Sequence, residues 1–147
     1  MLTVNFTNSL EGEVIQVDAI RLRILEDGSR TDNRIGAVEI MLPPGIACPP
    51  RHLHRMHDET FLVTSGVVRF TMGEIERDAH VGDYVVVPIG ATHTFSNPSN
   101  EPAVFFNTFT PAFYVNYLRE MAVLAANGSM SSEGVERVMA RYATQPS

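Results

Sequence analysis

Three histidines and one glutamate, placed on two glycine-punctuated segments, are the side chains of this sequence with the clearest capacity for chemistry. His52 and His54 are followed by Glu59, and His93 comes later, three residues after Gly90. Neutral imidazole nitrogens and one carboxylate oxygen suit a divalent first-row transition metal, whereas calcium and magnesium prefer shells made only of oxygen. We therefore predict one metal site, for Fe, Mn, Ni, Co or Zn, built from these four side chains.

The predicted strands have to bring these ligands together. His52 and His54 are two residues apart, so on a strand their side chains point to the same face. Glu59 follows after a turn, and His93 leads a further strand after the turn at 88–90. One face of a barrel would then collect all four groups around one ion.

The first 110 residues read as short strands separated by glycine and proline turns. Apolar residues alternate with polar ones over 20–24 and over 38–42, and two β-rich runs, 60–64 and 67–72, meet at Ser65-Gly66, where we predict a hairpin. Many short strands of this kind are typical of an antiparallel sandwich or barrel.

After Pro111 the hydrophobic period becomes helical. One apolar face predicts a helix that ends at Asn127-Gly128, and a second short helix follows, with Ser131 or Ser132 as its N-cap. The residues of the two apolar faces are Tyr114, Tyr117, Leu118, Met121, Leu124 and Ala125, and then Val135, Val138, Met139 and Tyr142.

Two spaced motifs carry a resemblance to a known family. The pattern from Gly45 through His52-Leu-His54 and Glu59 to Gly66 resembles the first cupin motif, with one extra residue after Gly45. The pattern Gly82, Pro88, Gly90, His93, Asn97 resembles the second cupin motif at every position. The two motifs span 45–66 and 82–97, in the family's order.

The resemblance implies an all-β fold, a cupin jelly-roll β-barrel over 1–112, followed by a short helical tail over 113–147. It implies His52, His54, Glu59 and His93 as metal ligands. Small cupins of this kind are commonly dimers, so a homodimer is expected, and the tail is expected to pack on the barrel or on the dimer partner. We interpret its apolar stripe as a structural contact rather than a catalytic lid.

A substrate pocket is expected next to the metal, lined by apolar residues that share strand parity with the ligands or lie on neighbouring strands. The candidates are Phe61, Val63, Phe70, Met72, Phe95, Phe106 and Thr108. By similarity to flavonol dioxygenases of the cupin superfamily, Glu59 is also a candidate base. Asn97 and Thr92 are candidates for orienting the ligands, and Asn107 is a candidate substrate contact.

Three further residues are interpreted as structural. His57, in the turn before Glu59, and His80, in a polar stretch, are expected to be solvent-exposed. Cys48 is the single cysteine, which excludes an internal disulfide and favours a small buried side chain.

Composition limits the function classes. The net charge of −6, with 11 scattered Lys and Arg, argues against a nucleic-acid surface. No apolar stretch reaches the roughly 20 residues of a membrane helix, and no signal-peptide pattern is present, so a cytoplasmic protein is expected.

The ligand set and the resemblance together lead to the hypothesis of a quercetinase-like dioxygenase acting on an enolic or aromatic small molecule. A non-redox isomerase, lyase or decarboxylase, and a non-catalytic binding module, remain alternatives.

Overall fold

The computed structural model describes residues 3–47 and 49–147, so the prediction for Cys48 lies outside the described residues. Eleven strands and two helices are described within those ranges: β1 Glu13–Val17, β2 Ile20–Glu26, β3 Gly36–Leu42, β4 His52–His54, β5 Asp58–Ser65, β6 Val68–Met72, β7 Ile75–Ala79, β8 Tyr84–Val87, β9 His93–Ser96, β10 Ala103–Thr110, α1 Tyr114–Ala126, α2 Ser132–Arg141 and β11 Thr144–Pro146. Neither helix is long and apolar enough to cross a membrane.

The strands form two antiparallel sheets. The six-stranded sheet has the order β1-β2-β3-β10-β5-β8, and the five-stranded sheet has the order β11-β4-β9-β6-β7. The predicted mostly-β fold is therefore confirmed as two sheets followed by two helices. Among the described residues, no ladder of hydrogen bonds joins the sheets into a closed barrel.

The core lies between the sheets, because both sheets turn an apolar face inward. Phe61 of the six-stranded sheet meets Phe70 of the five-stranded sheet at a ring-centroid distance of 5.0 Å, and Phe95 and Phe105 complete this aromatic cluster. Phe61, Phe70 and Phe105 are 0–1% exposed. Strand alternation produces this arrangement, since every second side chain of a strand faces the same way.

The predicted hairpin at Ser65-Gly66 is wrong. Strand β5 pairs with β10 and β8, whereas β6 pairs with β7 and β9, so the chain crosses from one sheet to the other at this corner. Gly66 has φ +71°, and a Cβ there would collide with the carbonyl oxygen of Pro102. Glycine permits both the left-handed backbone and the close approach, and the crossing lets Phe61 and Phe70 face each other.

The predicted helices are confirmed, and their ends follow from the sequence. Helix α1 ends at Ala126. Asn127 is its C-cap residue, and Gly128 follows with φ +65°. The hydroxyl of Ser131 accepts a hydrogen bond from the backbone amide of Gly134 and so caps α2. After α2 the chain forms β11, a short strand that the sequence patterns did not indicate and that pairs with β4.

Several contacts attach the tail to the sheets. Arg119 of α1 forms ion pairs with Glu13 at 2.8 Å and with Asp27 at 2.9 Å. Arg141 of α2 pairs with Glu120 of α1 at 2.7 Å. Helix α1 is therefore attached to the six-stranded sheet and helix α2 to α1.

Candidate metal centre

The three predicted histidine ligands lie together on neighbouring strands of the five-stranded sheet. His52 and His54 are on β4, and His52 is paired in register with His93 of β9. The ring centroids are 4.4 Å apart for His52 and His93, 4.9 Å for His52 and His54, and 5.1 Å for His54 and His93. All three side chains are buried. Their nitrogens are close enough to share one ion.

Glu59 reaches the same point from the opposite sheet. Its Oε2 lies 3.0 Å from Nε2 of His54 and 3.2 Å from Nε2 of His93. Its Oε1 accepts a hydrogen bond from the amide of Asn107, at 3.3 Å, and the same amide donates to the backbone carbonyl of Thr60 at 2.8 Å. The site is thus enclosed between the two sheets, and Asn107 of β10 fixes the carboxylate.

Each histidine has its Nδ1 occupied, which sets the tautomer. Nδ1 of His52 lies 3.0 Å from the carbonyl of Pro50, and Nδ1 of His93 lies 3.1 Å from the carbonyl of Ala91. A carbonyl can only accept, so these Nδ1 atoms carry the proton. Nδ1 of His54 lies 2.9 Å from the hydroxyl of Thr144, which itself donates to the carbonyl of Tyr142 at 3.2 Å.

His52 and His93 therefore present Nε2 to the centre as a lone pair when the rings are neutral, and His54 does the same when the hydroxyl of Thr144 donates to the carbonyl of Tyr142. Nε2 of His54 is buried and has no hydrogen-bond partner among the described residues, although it is 3.0 Å from Oε2 of Glu59. A cation shared by this lone pair and the carboxylate would satisfy both groups. Protons on Nε2 would create several imidazolium ions only 4.4–5.1 Å apart, whereas one metal ion satisfies every lone pair together. The donor set fits a transition metal on this ground.

Burial and repulsion from neighbouring rings favour the neutral form of His52. The pKa of His52 is lowered to about 4, first by burial and then by its neighbours His93 and His54. Burial by itself would raise the pKa of Glu59, but its contacts with His54 and His93 outweigh burial and hold that pKa below its usual range. Both shifts favour the protonation states that bind a metal.

His57 is not the exposed residue that the sequence predicted. It is 0% exposed, and neither ring nitrogen has a hydrogen-bond partner among the described residues. Its ring packs between His54, at 4.1 Å, and Tyr114 of α1, at 4.4 Å, because the tail covers the turn that carries it. The pKa of His57 is lowered to about 3, first by burial and second by repulsion from the neighbouring His54. His80, by contrast, is exposed as predicted.

The residues around the ligands differ in part from those the sequence suggested. Asn97 donates to the backbone carbonyls of Leu42, Pro43 and Glu101, so it organises a loop. Asn107 and Thr144 are the residues that hold ligand side chains. Asn107 was considered only as a substrate contact, and no sequence signal pointed to Thr144, which lies ninety residues from His54.

A cavity of about 580 Å³ opens beside the site. Three buried polar residues of the site, His52, Glu59 and Asn107, form part of its wall. The rest of the wall is largely apolar and comes from the sheets and from the tail, with Ile20, Leu22, Ile40, Ile46, Phe95, Leu118, Met121, Met130, Val135 and Met139.

Of the predicted pocket residues, Phe95 lines this cavity. Phe61, Val63 and Phe70 are buried in the core between the sheets, and Met72 packs against that core. Phe106 and Thr108 alternate with the buried Phe105, Asn107 and Phe109 along β10, so they lie on its opposite face. The tail supplies wall residues that the sequence analysis had assigned to structural contacts.

Comparison with known proteins identifies the class. Residues 38–109, which include all four predicted ligands, match the family described as Cupin domain. This chain therefore contains a cupin domain. No curated protein matched the sequence.

Solved structures show the same fold. KdgF from Halomonas sp. is 21% identical, with a TM-score of 0.63 over 73% of this chain and 94% of that chain. An RmlC-like cupin from Shewanella frigidimarina is 20% identical, with a TM-score of 0.61 over 76% and 96%. A sugar phosphate isomerase of the cupin superfamily from Silicibacter pomeroyi is 28% identical, with a TM-score of 0.57 over 64% and 60%.

Proposed function

We propose that this protein is a metal-dependent cupin oxidoreductase, a quercetinase-like dioxygenase that acts on an enolic or aromatic small molecule. The observation that carries the proposal is the juxtaposition of the donor set with the cavity. His52 and Glu59 belong both to the donor set and to the wall of an apolar cavity of about 580 Å³. Cavities of a few hundred Å³ with few polar groups are typical of small-molecule sites.

His52, His54, Glu59 and His93 would hold the metal, which would supply Lewis-acid and one-electron chemistry with dioxygen. Four protein ligands leave a position open on an ion that accepts five or six. The donor set carries one negative charge, that of Glu59, so it leaves one charge of a divalent ion uncompensated. This balance favours a substrate that binds through an anionic oxygen, as an enolate does.

The chain's own residues would take the substrate proton and exclude water. Glu59 is the candidate base when its carboxylate swings off the metal, and Asn107 would then hold its Oε1 while Oε2 accepts the proton. The apolar wall, which includes Leu22 of the sheet and Met139 of α2, would surround the substrate body. It would keep bulk water away from the reacting atoms.

A non-redox reaction is the second candidate, favoured by the 28% identity to a cupin sugar phosphate isomerase. A sugar phosphate needs basic and hydrogen-bonding partners. Arg51 is the basic residue of the described cavity wall, and it is exposed and paired with Glu74 at 3.5 Å. The apolar wall therefore argues for the oxidoreductase over a sugar phosphate isomerase.

The testing experiment begins with elemental analysis of the purified protein. Oxygen uptake is then measured with a small panel of flavonols and 1,3-diketones. We expect iron, manganese, nickel or cobalt near one per chain, one O₂ consumed per substrate, and both atoms of ¹⁸O₂ recovered in the products. Metal-dependent conversion of a substrate under anaerobic conditions would instead assign the non-redox reaction. Bound metal without any conversion would leave the binding module.

We further propose that the two sheets belong to a jelly-roll barrel and that the chain forms a homodimer. Strand β8 lies at the edge of the six-stranded sheet, and its Tyr84 and Val86 are 61% and 57% exposed. An edge strand with exposed apolar side chains favours pairing with a second chain. Light scattering coupled to size exclusion should give twice the chain mass of 16.3 kDa, and Val86→Lys should shift it to the monomer.

A further inference from the structure

We propose that helices α1 and α2 form the wall that selects the substrate, and that the substrate class is a molecule with one anionic, metal-binding head and an elongated apolar body. This inference rests on the proposed function, because the head needs the metal. It extends that function by assigning specificity to the C-terminal tail. The tail lies outside residues 38–109, which match the cupin domain.

Polar groups occur in two separate places on the cavity wall. His52, Glu59 and Asn107 are buried, so they belong to the metal end. Tyr114 and Tyr117 of α1 also line the cavity and are buried, and they lie at this end too, because Tyr114 packs against His54 at 4.7 Å and stacks on Tyr117 at 4.4 Å. The remaining polar lining residues are exposed and belong to the solvent side: Asp18, Arg51, Ser132 and Glu136. The wall between them is largely apolar. A ligand that fills the cavity therefore meets hydrogen-bonding partners at its head and few along its body.

This distribution excludes ligands that are polar along their length. A buried hydroxyl or phosphate without a partner weakens binding by about 5- to 150-fold or more. A sugar or sugar phosphate would place several such groups against Leu118, Met121 or Val135. An aliphatic or aromatic body has no such groups, and each buried methylene of such a body improves affinity.

The tail wall is fixed relative to the metal ligands. Strand β11, which follows α2, pairs with β4, and Thr144 lies opposite His54 in that pairing. Arg119 attaches α1 to Glu13 and Asp27 on the other sheet. The wall residues of α1 and α2 thus lie at a set position with respect to the metal, and this position limits the length of the ligand.

The inference is tested with a homologous series of straight-chain alkyl hydroxamates, from acetohydroxamate to decanohydroxamate, bound to the cobalt-loaded protein. The hydroxamate is a metal-binding anionic head, and binding is read from the visible spectrum of cobalt and by calorimetry, without turnover. We expect Kd to fall about threefold to fourfold per added methylene and then to stop improving at a definite chain length.

Variants of the wall should move that limit. Val135→Phe on α2 should shorten the limiting chain by two or more methylenes. Met130→Phe, in the loop between the helices, should also shorten the limiting chain. A substitution in this loop disturbs folding less than one within a helix. Val123→Phe is the matched control, since Val123 lies on α1 and is 58% exposed, and it should bind the whole series like the unmodified protein.

The outcomes separate this inference from the proposed function. A cobalt spectrum that changes with acetohydroxamate, but with no dependence of Kd on chain length, would overturn the inference and leave the metal site standing. The same chain-length limit in the unmodified protein and in both wall variants would overturn it as well. If acetohydroxamate leaves the cobalt spectrum unchanged, no position of the ion is open to a ligand and the proposed function itself fails.

Discussion

The hydroxyl of Thr144 provides a direct test of how the metal site is oriented. Thr144→Val keeps the side-chain shape and the preference for a strand, and it removes the hydroxyl that accepts from Nδ1–H of His54 and donates to the carbonyl of Tyr142. Thr144 is 3% exposed, so bulk water does not replace the lost group. The change therefore leaves a buried N–H without a partner in the tautomer that metal binding requires.

The expected effect is a loss of metal affinity of about 10- to 100-fold, which is about 1.4–2.7 kcal/mol. This range agrees with the cost of about 1–3 kcal/mol for an unsatisfied buried donor. The loss falls on the metal-bound form, because the metal-free protein can relieve it by moving the proton of His54 to Nε2, close to Glu59.

The assay is competition for zinc or cobalt against a chromophoric chelator at pH 7.5. Thr144→Ser restores a hydroxyl and should restore most of the affinity. Thr71→Val, an equal change on β6 where the hydroxyl is 3.5 Å from Glu76, is the control and should leave Kd unchanged. A change in Kd of less than about threefold for Thr144→Val would refute the idea that this hydroxyl orients His54.

Three further results are expected. His54→Ala should abolish stoichiometric metal binding with the fold retained by circular dichroism, whereas His80→Ala should keep one metal per chain; full occupancy in His54→Ala would contradict the site. In the metal-free protein, the folded-state pKa values of about 4 for His52 and about 3 for His57 lie below 6.5 in the unfolded chain. The free energy of unfolding should therefore decrease as pH falls below 6.5, by about 1.4 kcal/mol per pH unit for each histidine, and denaturant titrations from pH 7.5 to pH 4 that show no such slope would contradict their burial as neutral rings. His57→Leu removes two buried nitrogens without partners and should raise the free energy of unfolding at pH 7.5 by about 1 kcal/mol; loss of bound metal in this variant would instead make His57 a ligand.

The donor set was predictable because it depends on local spacing. Residues two apart on a strand share a face, which places His52 and His54 together, and the turn at 88–90 starts the strand that carries His93. The β-rich run 60–64, inside the first motif, also predicted a strand. The sequence therefore contained enough information for the mostly-β fold, the two helices and the clustering of the three histidines with Glu59.

The errors concern contacts that local patterns do not describe. The hairpin at 65–66 was predicted because two β-rich runs were adjacent, but adjacency does not say whether neighbouring runs pair or change sheets. Strand β7 was read as part of a polar stretch because three of its five residues are charged. Only Ala79 of that strand is buried. His57 was read as exposed because the turn residues around it are polar, whereas its burial comes from Tyr114, fifty-seven residues later.

The tail shows why the cluster of His52, His54, His93 and Glu59 was easier to predict than its surroundings. An apolar stripe on a helix indicates that the stripe is covered, but it does not indicate whether core, cavity or a second chain covers it. In α1 one part of the stripe is covered by the core and another part faces the cavity. Tyr114 packs on His54 and His57, whereas Leu118 and Met121 line the cavity. The ligands lie in the domain shared with other cupins, and much of the wall facing them lies in residues 114–146. Because a shared domain supports many chemistries, the reaction has to be sought in this second set of residues, where the motifs carry no information.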